Sequence, residues 1–211
     1  VPSSSPPPDC PRARRIGVLG GTFDPVHVGH LVVAVWAREE LQLDRVLLVV
    51  ANDPWQKRGR ACMAPAEDRY AMVRAALEGL VGIEASRLEI DRGGPSYTVD
   101  TLRALAAEEP SAERFLIVGA DLVPQLPSWH EAEALASLAT VVVATRPGAE
   151  PQGAPLPGLR IRELAVPRLE VSSSALRARL AKGASVDVLV PAGALRVIRS
   201  RGLYQRSPGD W

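Results

Sequence analysis

The sequence predicts an α/β fold, a doubly wound parallel sheet in a single domain. Three observations predict it. Short apolar runs alternate with amphipathic stretches of helical length. One run, RVLLVV at 45–50, is apolar throughout, as a strand buried on both faces must be. The first run ends in a Gly-Gly step that passes at once into a helical pattern. With 211 residues, 46% of them hydrophobic, the chain can bury such a core and is too apolar for disorder.

Each element has its own signal. Arg15 to Leu19 reads as a strand closed by Gly20-Gly21, and HLVVAVWAREELQL, from His30, as a helix with an apolar face. The 45–50 strand, bounded by Asn-Asp-Pro, should pair parallel to the first. PAEDRYAMVRAALEGL (65–80) opens with proline and acids, a helix start, and SRLEI (86–90) reads as the next strand. Thr98 is placed to cap a helix through VDTLRALAAEE. RFLIVGAD (114–121) reads as a strand, WHEAEALASLA as a helix, and TVVVA (140–144) as a strand. A Gly/Pro-rich loop (145–158) precedes a further strand, LRIREL (159–164). VSSSALRARLAKG gives a Ser-capped helix ending at Gly183, and VPAGALRVIRSRGLY a last short helix opened by Pro191. The folded unit is read as 14–205, with a Pro/Ser-rich flexible tail at 1–13 and a short tail at 206–211. This alternation implies right-handed crossovers, with ligands gathered at the carboxyl ends of the strands.

Composition narrows the function. The formal charge is +1 and basic residues are interleaved with acidic ones, so no sustained basic face for nucleic acid exists. No apolar stretch approaches the roughly 20 residues that span a bilayer, and the N-terminus lacks the apolar core of a secretory signal. Cys10 and Cys62 make no disulfide framework, which fits a reducing cytoplasm. A homo-oligomer is compatible with the sequence, but an isologous patch is not legible without surface geometry. Lys57 and Lys182 are the only lysines.

The densest chemistry lies in LGGTFDPVHVGH, Leu19 to His30. Glycines at a strand end let backbone N–H groups approach a phosphate closely; a plain tight turn is the other reading of Gly20-Gly21. His27 and His30, three apart at a helix start, share one face where unpaired N–H groups already favour an anion. Two imidazoles there can clamp phosphoryl oxygens and offset charge on a leaving pyrophosphate. The competing reading has one histidine capping the helix and the other packing. Zinc is set aside, because only His130 remains elsewhere and the cysteines are badly placed. Neither a P-loop nor a Gly-x-Gly-x-x-Gly fingerprint is present.

These residues resemble the GTFDPxHxGH signature of the HxGH nucleotidyltransferase superfamily, which has a Rossmann-like fold. From about residue 14 to 205 the chain resembles one branch, the bacterial nicotinate-nucleotide adenylyltransferases. Three further motifs stand in the expected order. ANDPWQK carries Lys57 where the family has a lysine, although Trp55-Gln56 replaces its usual Pro-His. GGPSYTVDTL and GADLVPQLPSWH bring Tyr97, Thr98, Asp121, Trp129 and His130, and VSSSALR brings Ser172, Ser173, Ser174 and Arg177. On residue chemistry alone, Trp129 is a ring-stacking face or core filling, and the serines are an anion cradle or a plain N-cap.

The resemblance implies transfer of AMP from ATP to nicotinate mononucleotide, giving deamido-NAD and pyrophosphate. His27, His30, Arg177 and Lys57 would then be the catalytic cations and donors. ATP would meet Gly20, Gly21, Thr22, Phe23, His27, His30, Asp121, Ser172, Ser173, Ser174 and Arg177. The mononucleotide would meet Asp24, Lys57, Tyr97, Thr98, Trp129 and His130. Mg²⁺ would enter with ATP, and no metal would be held by the protein itself. Two alternatives stand beside this: a same-superfamily enzyme preferring nicotinamide mononucleotide, and a nucleotide-binding regulator without turnover, for which Trp55-Gln56 would be the sign. Pantetheine-phosphate adenylyltransferases carry Thr at the position of His27, and the Arg-Thr-x-Gly-Ile-Ser-Thr-Thr motif of cytidylyltransferases is absent.

Overall fold

The computed structural model describes residues 12–54, 63–145 and 156–205. Lys57, Trp55, Gln56, both cysteines, residues 146–155 of the Gly/Pro loop, the 206–211 tail and all but the last two residues of the 1–13 tail lie outside the described residues. Six strands form one sheet: β1 (Arg15–Gly21), β2 (Arg45–Val50), β3 (Ile83–Ser86), β4 (Glu113–Gly119), β5 (Thr140–Thr145) and β6 (Ile161–Ala165). Their order is β3-β2-β1-β4-β5-β6, and every pairing is parallel. The doubly wound expectation is therefore met, with the strand order reversing between β1 and β4.

The helices are α1 (Val28–Glu40), α2 (Ala66–Ala76), α3 (Leu88–Arg92), α4 (Thr98–Glu108), α5 (Leu135–Leu138), α6 (Ser173–Leu180) and α7 (Ala192–Ser200). The pleat sorts the core into two layers. Val46, Leu48 and Val50 of β2 face one apolar cluster with Ala34 and Ala37 of α1, Met72 and Val73 of α2, and Leu176 and Ile198. Leu47 and Val49 face the other, with Leu102 and Leu105 of α4, Leu126 and Leu135. A continuous apolar strand is thus explained by cover on both sides.

Local signals failed where a neighbour decided the outcome. The third strand is not 86–90 but Ile83–Ser86, an edge strand whose register is set by Val46 to Val49 of β2. Leu88 to Ile90, the rest of the expected strand, instead open a helical turn, Leu88–Arg92, supported by the Arg87 to Asp91 hydrogen bond at 2.8 Å, an i,i+4 pair. Thr98 is the first helical residue of α4 rather than its cap; Tyr97 takes the extended cap position. The strand over 114–121 stops at Gly119, and Ala120–Ser128 winds as a 3₁₀ helix containing Pro124 and Pro127, which lack the N–H an α-helix would use. The helix around Trp129 shrinks to a 3₁₀ turn (Ala132–Ala134) and α5, because Glu131 stands in the left-handed region at φ 47°.

The last helix is fastened to α2. An added Cβ at Gly193 would lie 1.9 Å from the Ala75 carbonyl oxygen, so only glycine permits this approach of α7 to α2. Arg201, at the end of α7, pairs with Asp68 of α2.

Candidate active site

The crevice at the β1–β4 reversal holds two adjoining cavities. The larger, about 760 Å³, is lined by Gly20, Thr22, His27, His30, Asp121, the three serines 172–174 and Arg177. The smaller, about 230 Å³, is lined by Gly21, Glu89, Tyr97, Thr98, Trp129 and His130. Leu19, Gly20, Thr22, Gly119 and Leu122 border both. Gly20 and Gly21 are the last residues of β1 rather than a turn, and a Cβ at Gly20 would meet nothing within 4 Å. The carboxyl end of β1 therefore presents backbone without side chains beside both cavities.

His27 is the N-cap residue of α1, and its backbone N–H donates to Nδ1 of His30 at 3.1 Å. That bond leaves the His30 ring proton on Nε2, as a donor. The two rings stack at 3.7 Å between centroids, and Phe23 meets His30 edge-on at 4.9 Å. Gly29 allows this crowding, since a Cβ there would stand 3.0 Å from Val171 and 3.1 Å from Nδ1 of His27. His27 is 7% exposed, and burial lowers its pKa to about 4, so the ring is neutral near pH 7. Its buried Nδ1 has no hydrogen-bond partner among the described residues.

A stability consequence follows from that burial. An unfolded imidazole takes its proton near pH 6.5 and the folded one only near pH 4, so the unfolded state binds more protons between them. The contribution is present in full above pH 6.5 and is lost as the pH falls to about 4. Wild type is expected to lose about 3 kcal/mol more than His27→Gln over that range, read from urea titrations at each pH. Parallel pH profiles for the two proteins would contradict this.

The serine triplet ties α6 to the first motif. Ser172 caps α6 by accepting from Ala175 N at 3.2 Å, and Ser173 Oγ donates to the Pro25 carbonyl at 2.9 Å. Arg177 donates through Nη1 to the Asp24 carbonyl at 2.6 Å and through Nη2 to Ser174 Oγ at 3.2 Å. Asp24 is 4% exposed, and its Oδ2 lies 3.5 Å from Arg177. Asp121 folds back over Gly119, where a Cβ would stand 2.5 Å from its Oδ1.

In the smaller cavity Tyr97 and His130 stack at 4.2 Å, with Nε2 of His130 3.3 Å from Glu131. Trp129 packs against the second apolar cluster. Glu89 is buried there; burial raises its pKa, and Thr101 Oγ1 donates to it at 2.7 Å.

Residues 18–179 match the cytidylyltransferase-like family. A probable nicotinate-nucleotide adenylyltransferase of Streptomyces coelicolor is 48% identical over 187 residues, 89% of this chain and 99% of that one. A protein of the same description from Saccharopolyspora erythraea is 43% identical over 92% of this chain and 91% of its own length. The chain belongs to the nicotinate-nucleotide adenylyltransferases of the cytidylyltransferase-like family. In fold it is similar to the nicotinic acid mononucleotide adenylyltransferase of Plasmodium falciparum complexed with NaAD, with TM-score 0.75 and 20% identity, covering 90% of this chain and 97% of that chain.

Against this family's motifs, the larger cavity gathers every residue assigned to ATP except Gly21 and Phe23. Gly21 borders the smaller cavity, and the Phe23 ring lies beneath Gly21, 1% exposed, lining neither. The smaller cavity gathers Tyr97, Thr98, Trp129 and His130, whereas Asp24 lines the larger one. Sequence reading missed Arg69, Glu89 and Tyr204. Arg69 donates to the carbonyls of Ala64, Thr22, Ala51 and Asn52, at 2.6 to 3.1 Å. An arginine within a helix ordinarily reads as solvated, so no local signal marked it.

Proposed function

We infer that the chain transfers the adenylyl group of ATP to nicotinate mononucleotide, releasing pyrophosphate and forming deamido-NAD. The observation that carries this reading is the pair of cavities meeting along Gly20. One holds the donors a triphosphate needs, and the other an indole beside the start of a helix. The mononucleotide's phosphate oxygen attacks the α-phosphorus of ATP, the bond to the β-phosphate breaks, and pyrophosphate leaves with the electron pair. A phosphate monoester is already ionised near neutral pH, so no general base is required; catalysis is positioning and charge stabilisation.

His30 Nε2, the imidazole of His27, the guanidinium of Arg177 and the ammonium of Lys57 are the groups proposed to offset charge on the leaving pyrophosphate. Asp121 is proposed to accept from the nucleotide ribose. The backbone N–H groups of Thr98 and His130 are proposed to take the pyridine carboxylate, with Trp129 stacked on the ring. Among the described residues no three His, Cys, Asp or Glu side chains gather as a metal site. Magnesium is proposed to enter with ATP, held by the oxygens of the triphosphate. Among the described residues no helix is long and apolar enough to cross a membrane. The requirement for ATP supports a cytoplasmic reaction.

Pyrophosphate release tests this when ATP is mixed separately with nicotinate and nicotinamide mononucleotides. The expected result is release with both and a larger kcat/KM for the acid, whose charge suits backbone donors. Release with neither would make the chain a regulator, and preference for the amide would overturn the substrate assignment. Trp129→Ala is expected to raise KM for nicotinate mononucleotide roughly tenfold, with KM for ATP little changed. Equal weakening of both substrates would place Trp129 outside the ring site.

A further inference from the structure

We propose that Tyr204 is a positioning residue of the triphosphate site, holding the Asp24 carboxylate as a fixed counter-charge to Arg177. The proposal rests on the reading of Arg177 as a phosphate-binding residue. Its starting point is the end of α7. Gly202, at φ 60°, ends that helix: Leu203 N donates to Ile198 O at 3.0 Å and Gly202 N to Arg199 O at 3.4 Å. This pair of bonds is a Schellman turn, which reverses the chain after the last helical residue. Tyr204 follows, itself in the left-handed region at φ 63°, and its ring runs inward beside Met72.

The phenol reaches Asp24, 180 positions away in sequence, and its hydroxyl donates to Oδ1 at 2.6 Å. Ala64 N donates to the same oxygen at 3.1 Å. Oδ2 and the main-chain carbonyl of Asp24 face Arg177. A buried carboxylate needs donors: the phenol of the C-terminal segment and the N–H of Ala64, just ahead of α2, both donate to Oδ1, while the cation of α6 stands 3.5 Å from Oδ2 as an ion pair. Burial and the hydrogen bond to Asp24 raise the pKa of Tyr204, so the phenol remains a donor across the working range.

The consequence concerns the cation more than the acid. Arg177 has one anchor in Ser174 and another in Asp24, and these two set its fork at the edge of the larger cavity. With the phenol hydroxyl gone, Oδ1 keeps only the Ala64 N–H, and the less firmly held carboxylate can turn toward Arg177. A closer ion pair would then hold the guanidinium away from a phosphate. Tyr204 thus acts on ATP through Asp24 and Arg177 and touches no substrate.

The test is a double-mutant cycle on the full chain. Tyr204→Phe keeps the ring in its site and removes only the hydroxyl. We expect it to raise KM for ATP about five- to twentyfold, with KM for the mononucleotide unchanged within about twofold. In an Arg177→Ala background the same change is expected to alter kcat/KM for ATP by less than about twofold, because the residue it acts through is absent. Met72→Leu removes the sulfur that the hydroxyl also approaches, at 3.8 Å, and keeps the bond to Asp24, so it is expected to match wild type.

Thermal unfolding checks that each variant is folded at the assay temperature, and calorimetry with a nonhydrolysable ATP analogue reads affinity without turnover. If wild type binds the analogue yet forms no product, the reaction assignment fails while the cycle is still read in binding. A folded Tyr204→Phe protein with wild-type affinity would overturn the proposal. So would equal losses in the two backgrounds, which would mean that the phenol merely stabilises the fold.

Discussion

His30→Ala is expected to lower kcat roughly 10²-fold or more while leaving the protein folded, the size of effect seen when one preorganised donor is removed. The side chain is aligned before substrate arrives, because Nδ1 is occupied by the His27 N–H and the ring is stacked on His27 and set edge-on to Phe23. A donor fixed in advance costs no reorganisation as charge grows on the leaving pyrophosphate. His30→Gln keeps a donor but not the ring stack, so part of the rate should return. If the loss instead fell on KM alone, His30 would be binding ground-state ATP rather than the transition state. Near-wild-type turnover in a folded alanine variant would remove it from the catalytic set.

Arg69→Met is expected to lower folding stability by about 3–5 kcal/mol, with a fall in melting temperature of about 10 °C. The guanidinium is 1% exposed and bonds four main-chain carbonyls, which come from the turns after β1 and β2 and from the residue preceding the α2 cap. Methionine fills much of the volume but supplies no N–H, so buried acceptors are left without partners, each costing about 1–3 kcal/mol before water or relaxation compensates. Urea titration checks the figure. A loss below about 1 kcal/mol would mean that the carbonyls find other partners. Because Thr22 and Asn52 belong to the loops beneath the two cavities, KM for both substrates should rise in whatever fraction remains folded.

Much of this architecture was legible in the sequence, for reasons that can be stated. β2 declared itself because a run without a polar residue has no water-facing side, and the sheet covers both faces. The helix after His27 declared itself by its period, and the Ser172 cap by its hydroxyl. What escaped depended on partners distant in sequence. The edge strand slid to Ile83–Ser86 because β2 fixes its register, and Leu88–Arg92 then had room for one helical turn. Arg69 and Tyr204 carry no local signature, since their importance lies in carbonyls up to 47 residues away and a carboxylate 180 residues away. In the site, the motifs named the polar residues of the larger cavity and all but Glu89 and Ser96 of those in the smaller, but they could not show that Arg177 rests on Asp24, or that Phe23 meets His30 edge-on.

The bare backbone at Gly20 has a bearing on inhibitor design. Since Gly20 itself puts no side chain between the two compartments, a ligand joining an adenosine polyphosphate mimic to a flat anionic heterocycle could occupy both at once. Anchoring one half would present the other at high local concentration, so even weak fragments for each compartment become worth tethering. A bulkier residue at position 20 should blunt such a tethered compound far more than either fragment alone.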